Sequence, residues 1–188
     1  MVRDPARARR DVTPGGSAPL IVTGTLPADL QSWANALRQA HFPPERNHLQ
    51  AHVTLFHALP PFAEDEVREL LARLAAEFAP PRAQLSAIMA LGGGTALRID
   101  SAALLAVRAL IADRFHGQLS AQDDQRPRLH VTVQNKVSGQ EAKALQAELA
   151  VTFAPRDFAF AGLALHAYRG GPWDTLGTWR FRGRTAAA

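Results

Sequence analysis

The stretch His52-Val53-Thr54-Leu55 has an echo in His130-Val131-Thr132-Val133, and this repeat decides how the rest of the chain is read. Each copy lies in an apolar, β-branched run, Ala51 to Phe56 and Leu129 to Val133, of the kind that forms a buried strand. Side chains alternate faces along a strand, so His52 and Thr54 point one way while Val53 and Leu55 point the other. The same parity sets His130 and Thr132 against Val131 and Val133. Each strand therefore presents an imidazole beside a hydroxyl, with an apolar face behind to pack on a core. Two such strands facing each other make a cleft of two His and two Thr. That set suits holding a phosphate and moving protons on opposite sides of it.

Outward from the first motif, Pro19 to Leu26 reads as a strand, and Pro27-Ala28-Asp29 starts a helix with Leu30, Trp33, Ala34 and Leu37 as its core stripe. After the motif, Pro60-Pro61 ends the strand. Phe62 to Phe78 reads as a helix with Glu64, Asp65 and Glu66 in its first turn, where the helix dipole favours negative charge. Ala83 to Leu91 and Thr95 to Asp100 form a hairpin around Gly92-Gly93-Gly94. No Lys-Ser/Thr or helix start follows that triplet, so it is a turn and not a phosphate loop. Ser101 caps a helix running to about Leu119, and Ser138 with Glu141 opens another as a capping box. Asp157 to Tyr168 and Thr175 to Phe181 read as a last hairpin around Gly170-Gly171-Pro172-Trp173. Hairpins beside helices, in two loosely repeated halves, predict an α+β fold with largely antiparallel sheets.

The 188 residues suffice for one sizeable domain over 19–182, preceded by a disordered basic tail at 1–18 and followed by a frayed end at 183–188. No stretch is apolar enough to span a membrane, and the arginine-rich N-terminus has no apolar signal region, so a cytoplasmic protein is expected. The absence of cysteine excludes disulfides, thiolate metal sites and thiol nucleophiles. A net charge of +4, carried mostly by arginine, is compatible with a polyanion such as RNA, though part of it sits in the two tails.

With both motifs placed on strands, the chain resembles the two-histidine (2H) phosphoesterase superfamily, and within it the bacterial 2′-5′ RNA ligase / RNA 2′,3′-cyclic phosphodiesterase group. The resemblance rests on the two His-x-Thr-x motifs and their spacing, and it covers about residues 19 to 182. It implies a bilobal, pseudo-two-fold symmetric fold with two sheets, flanking helices and the active-site cleft between lobes. It further implies metal-independent phosphodiester chemistry without a cofactor, on an RNA with a cyclic phosphate end or a small cyclic nucleotide, by a monomer. One departure stands out: many members follow the second motif with a small residue and Arg, where this chain has Gln134-Asn135-Lys136.

In that chemistry one imidazole takes a proton from water while the other protonates the departing ribose oxygen. Thr54 and Thr132 donate hydrogen bonds to the non-bridging oxygens. The product is a phosphomonoester, the 2′ isomer, and the reverse reaction is 2′-5′ RNA ligation. Strand parity sets Phe56 and Gln134 toward the cleft floor, where Phe56 would stack on a base, with the core as an equal alternative for Phe56, and Lys136 as the cationic contact. Arg126 and Arg128 enter the second motif strand where phosphate is in reach, and Tyr168 and Arg169 end a strand beside the Gly-Gly turn. His41, His48, His116 and His166 have no partner pattern. Two rivals stand beside the phosphodiesterase. A metallohydrolase on His52, His57 and His130 is opposed by parity, which sends His52 and His57 to opposite faces, and by the lack of clustered carboxylates. A catalytically idle RNA- or nucleotide-binding module would use the same cleft, but it has no need of two proton-transfer groups.

Overall fold

A computed structural model describes residues 18–184. The tail expected over 1–18 lies outside the described residues apart from Ala18, as does the end beyond 184. In chain order the elements are β1 (Leu20–Thr25), α1 (Ala28–His41), β2 (Val53–Leu59), α2 (Glu64–Glu77), β3 (Arg82–Ala90) and β4 (Gly94–Asp100). There follow α3 (Ala102–Arg114), β5 (His130–Asn135), α4 (Gly139–Thr152), β6 (Arg156–Ala159), β7 (Gly162–Ala167) and β8 (Asp174–Arg180). The fold is α+β, as the residue patterns require.

The strands form two four-stranded antiparallel sheets, ordered β2-β1-β7-β8 and β5-β4-β3-β6. Each motif strand is thus the edge strand of its own sheet, paired to the strand that precedes it across a helix. The units β1-α1-β2-α2 and β4-α3-β5-α4 repeat one another, and helix α1 of the first packs against β5 of the second. One apolar core runs beneath both sheets, with Val53, Leu55, Val131 and Val133 all essentially inaccessible. Burying each such side chain contributes about 1.5–3 kcal/mol, which fixes which face of each motif strand meets solvent.

The helix starts follow their sequence signals. Ser101 accepts a hydrogen bond from the Leu104 amide at 3.1 Å, and Ser138 and Glu141 close a capping box at the head of α4. Three expectations need correction. The helix after Ser101 ends at Arg114, short of Leu119. Trp33 is 37% exposed, on the rim of the α1 stripe and not in the core. The run from Asp157 to Tyr168 is two strands: the chain leaves one sheet after Ala159 and enters the other at Gly162. Phe160, fully buried against Gly24, plugs the crossing; a Cβ at Gly24 would meet its ring at 3.0 Å.

Candidate active site

His52 stands immediately before β2 and His130 begins β5. In both, Nδ1 is 2.7 Å from the backbone carbonyl two residues back, Gln50 O for His52 and Arg128 O for His130. A carbonyl can only accept, so each Nδ1 carries the proton and each neutral ring leaves Nε2 bare. The same short loop bond, made twice, holds two imidazoles in one tautomer. Thr54 and Thr132, half-buried, follow on the cleft side of their strands, while Val53, Leu55, Val131 and Val133 go inward.

The alternation then breaks at the same place in both strands. Across β1–β2 the register passes from Thr23↔Thr54 to Val22↔Phe56, so β2 holds one extra residue. Across β4–β5 it passes from Ala96↔Thr132 to Thr95↔Gln134, with the same surplus. A bulge directly after each motif threonine inverts the parity of everything beyond it. Phe56 is therefore fully buried, its ring 4.5 Å beneath the Arg108 guanidinium, and it offers no face to a base. Gln134 is buried as well, accepting from Thr95 Oγ1 at 3.2 Å. Lys136 lies exposed beyond the strand end with φ +60°, so its parity with His130 has no meaning. The bulge also removes the parity argument about His57. What holds His57 is Asp123, whose carboxylate accepts from the His57 backbone N at 2.9 Å and lies 3.1 Å from its Nδ1. Among the described residues, no three His, Cys, Asp or Glu side chains converge as a metal-ligand set.

Edge strands carry unpaired backbone groups, and here two buried arginines cover them. Arg38 of α1 donates to Leu49 O at 3.1 Å, in the loop before the first motif, and to Thr132 O at 2.8 Å, in the second motif strand. Arg108 of α3 donates to Leu55 O at 3.1 Å, in the first motif strand, and to Asp123 O and Gln125 O in the loop before the second motif. Asp123 covers more of the β2 edge by accepting from Ala58 N at 2.8 Å.

A cavity of about 360 Å³ opens beside His52, lined by Thr23, Thr25, His166, Trp173 and Thr175. The Trp173 ring lies 4.6 Å from that of His52 and 5.4 Å from that of His166. His166 Nε2 is 3.0 Å from Thr23 Oγ1, and Nδ1 is 3.2 Å from Thr175 Oγ1. Burial pushes the His52 imidazole down to about 4; the Gln50 carbonyl opposes this, while the charges of Arg38, His166 and His130 add to it. His166 is likewise lowered by burial. Sequence reasoning missed Trp173 and His166. Trp173 sits in a turn defined by its glycines, and His166 lies on a strand otherwise buried on both faces, which leaves no polar alternation to mark it. Tyr168, 45% exposed, does not line this cavity, and Arg169 is engaged with Asp174 at 3.2 Å.

A second cavity, of about 570 Å³, flanks the His130 side, with Arg98, Arg126 and Arg128 on its walls and Ile88, Met89 and Leu105 among its apolar lining. Arg128 and Arg126 are thus beside the second motif, where the sequence placed them.

Residues 26–172 match the family model of the 2′-5′ RNA ligase superfamily, and the chain belongs to that family. A search of curated protein sequences finds no match. Among solved structures, TT0787 of Thermus thermophilus is similar at TM-score 0.61 and 17% identity, over 89% of this chain and all of that one. LigT of E. coli, solved with NADP+, is similar at TM-score 0.56 and 18% identity, over 87% of this chain and 98% of its own. A structure described as a phosphoesterase follows at TM-score 0.52 and 22% identity, over 87% and 98%. At these identities the likeness is one of fold: two antiparallel sheets with four helices.

Proposed function

We propose that this protein is a metal-independent phosphodiesterase that opens 2′,3′-cyclic phosphates of RNA or nucleotides to the 2′-phosphomonoester. The observation that supports it above all is the pair of symmetry-related imidazoles, each with Nδ1 tied back to a carbonyl and Nε2 left to carry protons. LigT has been solved with 3′-AMP and with NADP+, which supports a nucleotide-type ligand for this chain.

His52 is assigned as the base. Its depressed pKa keeps it neutral at physiological pH, so Nε2 is free to accept. As water oxygen attacks phosphorus, its proton passes to His52 Nε2, the P–O3′ bond breaks, and protonated His130 delivers its Nε2 proton to the departing O3′. The products are a 2′-phosphomonoester and a free 3′-hydroxyl, with the two histidines left in exchanged protonation states for solvent to reset. Thr54 and Thr132 donate to the non-bridging oxygens as charge accumulates on them. With a ribose 5′-hydroxyl in place of water as the attacking group, the same steps form a P–O5′ bond, break P–O3′ and join two RNA ends through a 2′-5′ linkage.

The test is an oligoribonucleotide ending in a 2′,3′-cyclic phosphate, incubated in EDTA with wild type, His52→Ala and His130→Ala. Opening to one phosphomonoester by wild type, lost in both variants, supports the reading. Absence of turnover by wild type, with binding retained in the variants, would replace it by a binding module.

A further inference from the structure

The two cavities occupy the same place in the two halves of the molecule, yet their chemistry differs. Each is bounded by the strand next to the motif strand, by the loop that leads into the motif histidine, and by the first turns of the following helix. Counting back from each histidine by equal steps pairs His48 with Arg126 and Gln50 with Arg128. Across the sheet, Arg98 is the register partner of His130, whereas the β1–β2 register ends at Gly24↔Val53, one step before His52, and its continuation falls at Thr25. Three positions that are arginine on the His130 side are therefore uncharged or histidine on the other.

The arginines are not consumed internally. Arg126 and Arg128 are exposed, and among the described residues neither side chain makes an ion pair or hydrogen bond. Arg98 is partly neutralised by Asp100 at 3.0 Å. Between and behind them the floor is apolar, through Ile88, Met89 and Leu105. Unpaired guanidinium groups around an apolar floor match a nucleic acid strand, which offers phosphates and base faces together. The His52 side, closed over by Trp173 and lined by hydroxyls, has no lysine or arginine among its described lining residues to meet a second phosphate.

We propose that the RNA strand carrying the cyclic phosphate lies along the His130 side of the cleft, its upstream phosphates on Arg126 and Arg128, and that the attacking water enters from the His52 side. This rests on the phosphodiesterase reading and adds to it a polarity and a substrate class: an oligoribonucleotide in preference to a mononucleotide. The polarity is consistent with the chemistry. In-line displacement puts nucleophile and leaving oxygen on opposite faces of phosphorus, and the leaving ribose oxygen belongs to the same strand that the arginines hold.

The experiment compares a mononucleoside 2′,3′-cyclic phosphate with a ten-nucleotide RNA bearing the same end, for wild type, Arg126→Ala/Arg128→Ala and His48→Ala. Turnover is measured on both, and anisotropy follows binding of a labelled 3′-phosphorylated RNA across a salt series. The expected result is that the double arginine variant weakens RNA binding and raises the RNA KM by about tenfold or more. Its salt slope flattens by about 1.4, roughly 0.7 for each lost phosphate contact on a single strand. Turnover of the RNA falls by a larger factor than turnover of the mononucleotide, and His48→Ala leaves RNA binding intact. RNA binding unchanged in the double arginine variant, or weakened equally by His48→Ala, overturns the proposal. Wild type that binds RNA through these arginines but hydrolyses neither substrate refutes the phosphodiesterase reading and leaves the strand placement standing.

Discussion

Arg38 and Arg108 each cross from the helix before one motif to the strand carrying the other: Arg38 to Thr132 O at 2.8 Å, Arg108 to Leu55 O at 3.1 Å. Each also ties down the loop that delivers its own motif histidine, at Leu49 O and at Asp123 O and Gln125 O. Two buried cations thus do what a shared sheet cannot, since the motif strands are edges of different sheets. They bond the backbone of both motif segments, on which the two imidazoles are mounted.

Removing Arg38 tests this brace. Arg38→Met leaves Leu49 O, Thr132 O and Asn47 Oδ1, all part-buried, without their donor, at a cost of about 1 kcal/mol each. Taken together, the expected loss of stability is about 3 kcal/mol by urea denaturation. Arg38→Lys keeps the charge but not the planar fork and recovers little of the loss. Full recovery by lysine would show that charge alone matters there.

Trp173 covers the His52 ring and shares in the burial that lowers its pKa. Burial is the main cause holding the imidazole at about 4, and the indole ring 4.6 Å away is part of that cover. Trp173→Ala admits water, and the His52 pKa rises toward the ordinary value near 6.5. Histidine ring resonances followed by NMR against pH read this directly. A pKa still near 4 in the variant would assign the shift to the cationic neighbours instead.

Asp123 links acid stability to the motif edge. Burial pushes its carboxyl up, but hydrogen bonds from the His57 side chain and from the His57 and Ala58 amides outweigh that and hold it below the usual carboxylate range. The stabilisation is therefore present above the unfolded pKa of about 3.9 and lost as pH falls through the lower folded value. Asp123→Asn is expected to lower stability at neutral pH by about 1–3 kcal/mol, with the gap from wild type narrowing below about pH 4 in thermal melts. A gap that persists unchanged into acid would mean the loss is one of packing.

The motif strands were legible because His-Val-Thr obeys a period of two, and burial of Val53, Leu55, Val131 and Val133 obliges the polar partners to face the cleft. The helices were legible through Ser101, Ser138 and Glu141, whose caps are local chemistry. Phe56 and Gln134 were misplaced because a bulge is a pairing event. It depends on the partner strand, Val22 and Thr23 in one case and Thr95 and Ala96 in the other, and leaves no mark within β2 or β5 themselves. Trp173 and His166 were missed for a related reason, since both reach the cleft from a part of the chain far beyond the first motif. The two bracing arginines look like ordinary helix residues until tertiary structure buries them.

The two-histidine account is tested most directly by the pH dependence of kcat/KM on a 2′,3′-cyclic phosphate from about pH 3 to pH 9, for wild type, His52→Ala and His130→Ala. The account predicts a bell for wild type, with an acid limb near 4 where His52 must lose its proton and an alkaline limb where the other histidine must keep one. It predicts loss of the acid limb in His52→Ala and of the alkaline limb in His130→Ala, each with a fall in rate of about 10²–10⁴. A flat wild-type profile under conditions where chemistry limits the rate, or limbs that persist in both variants, would contradict it.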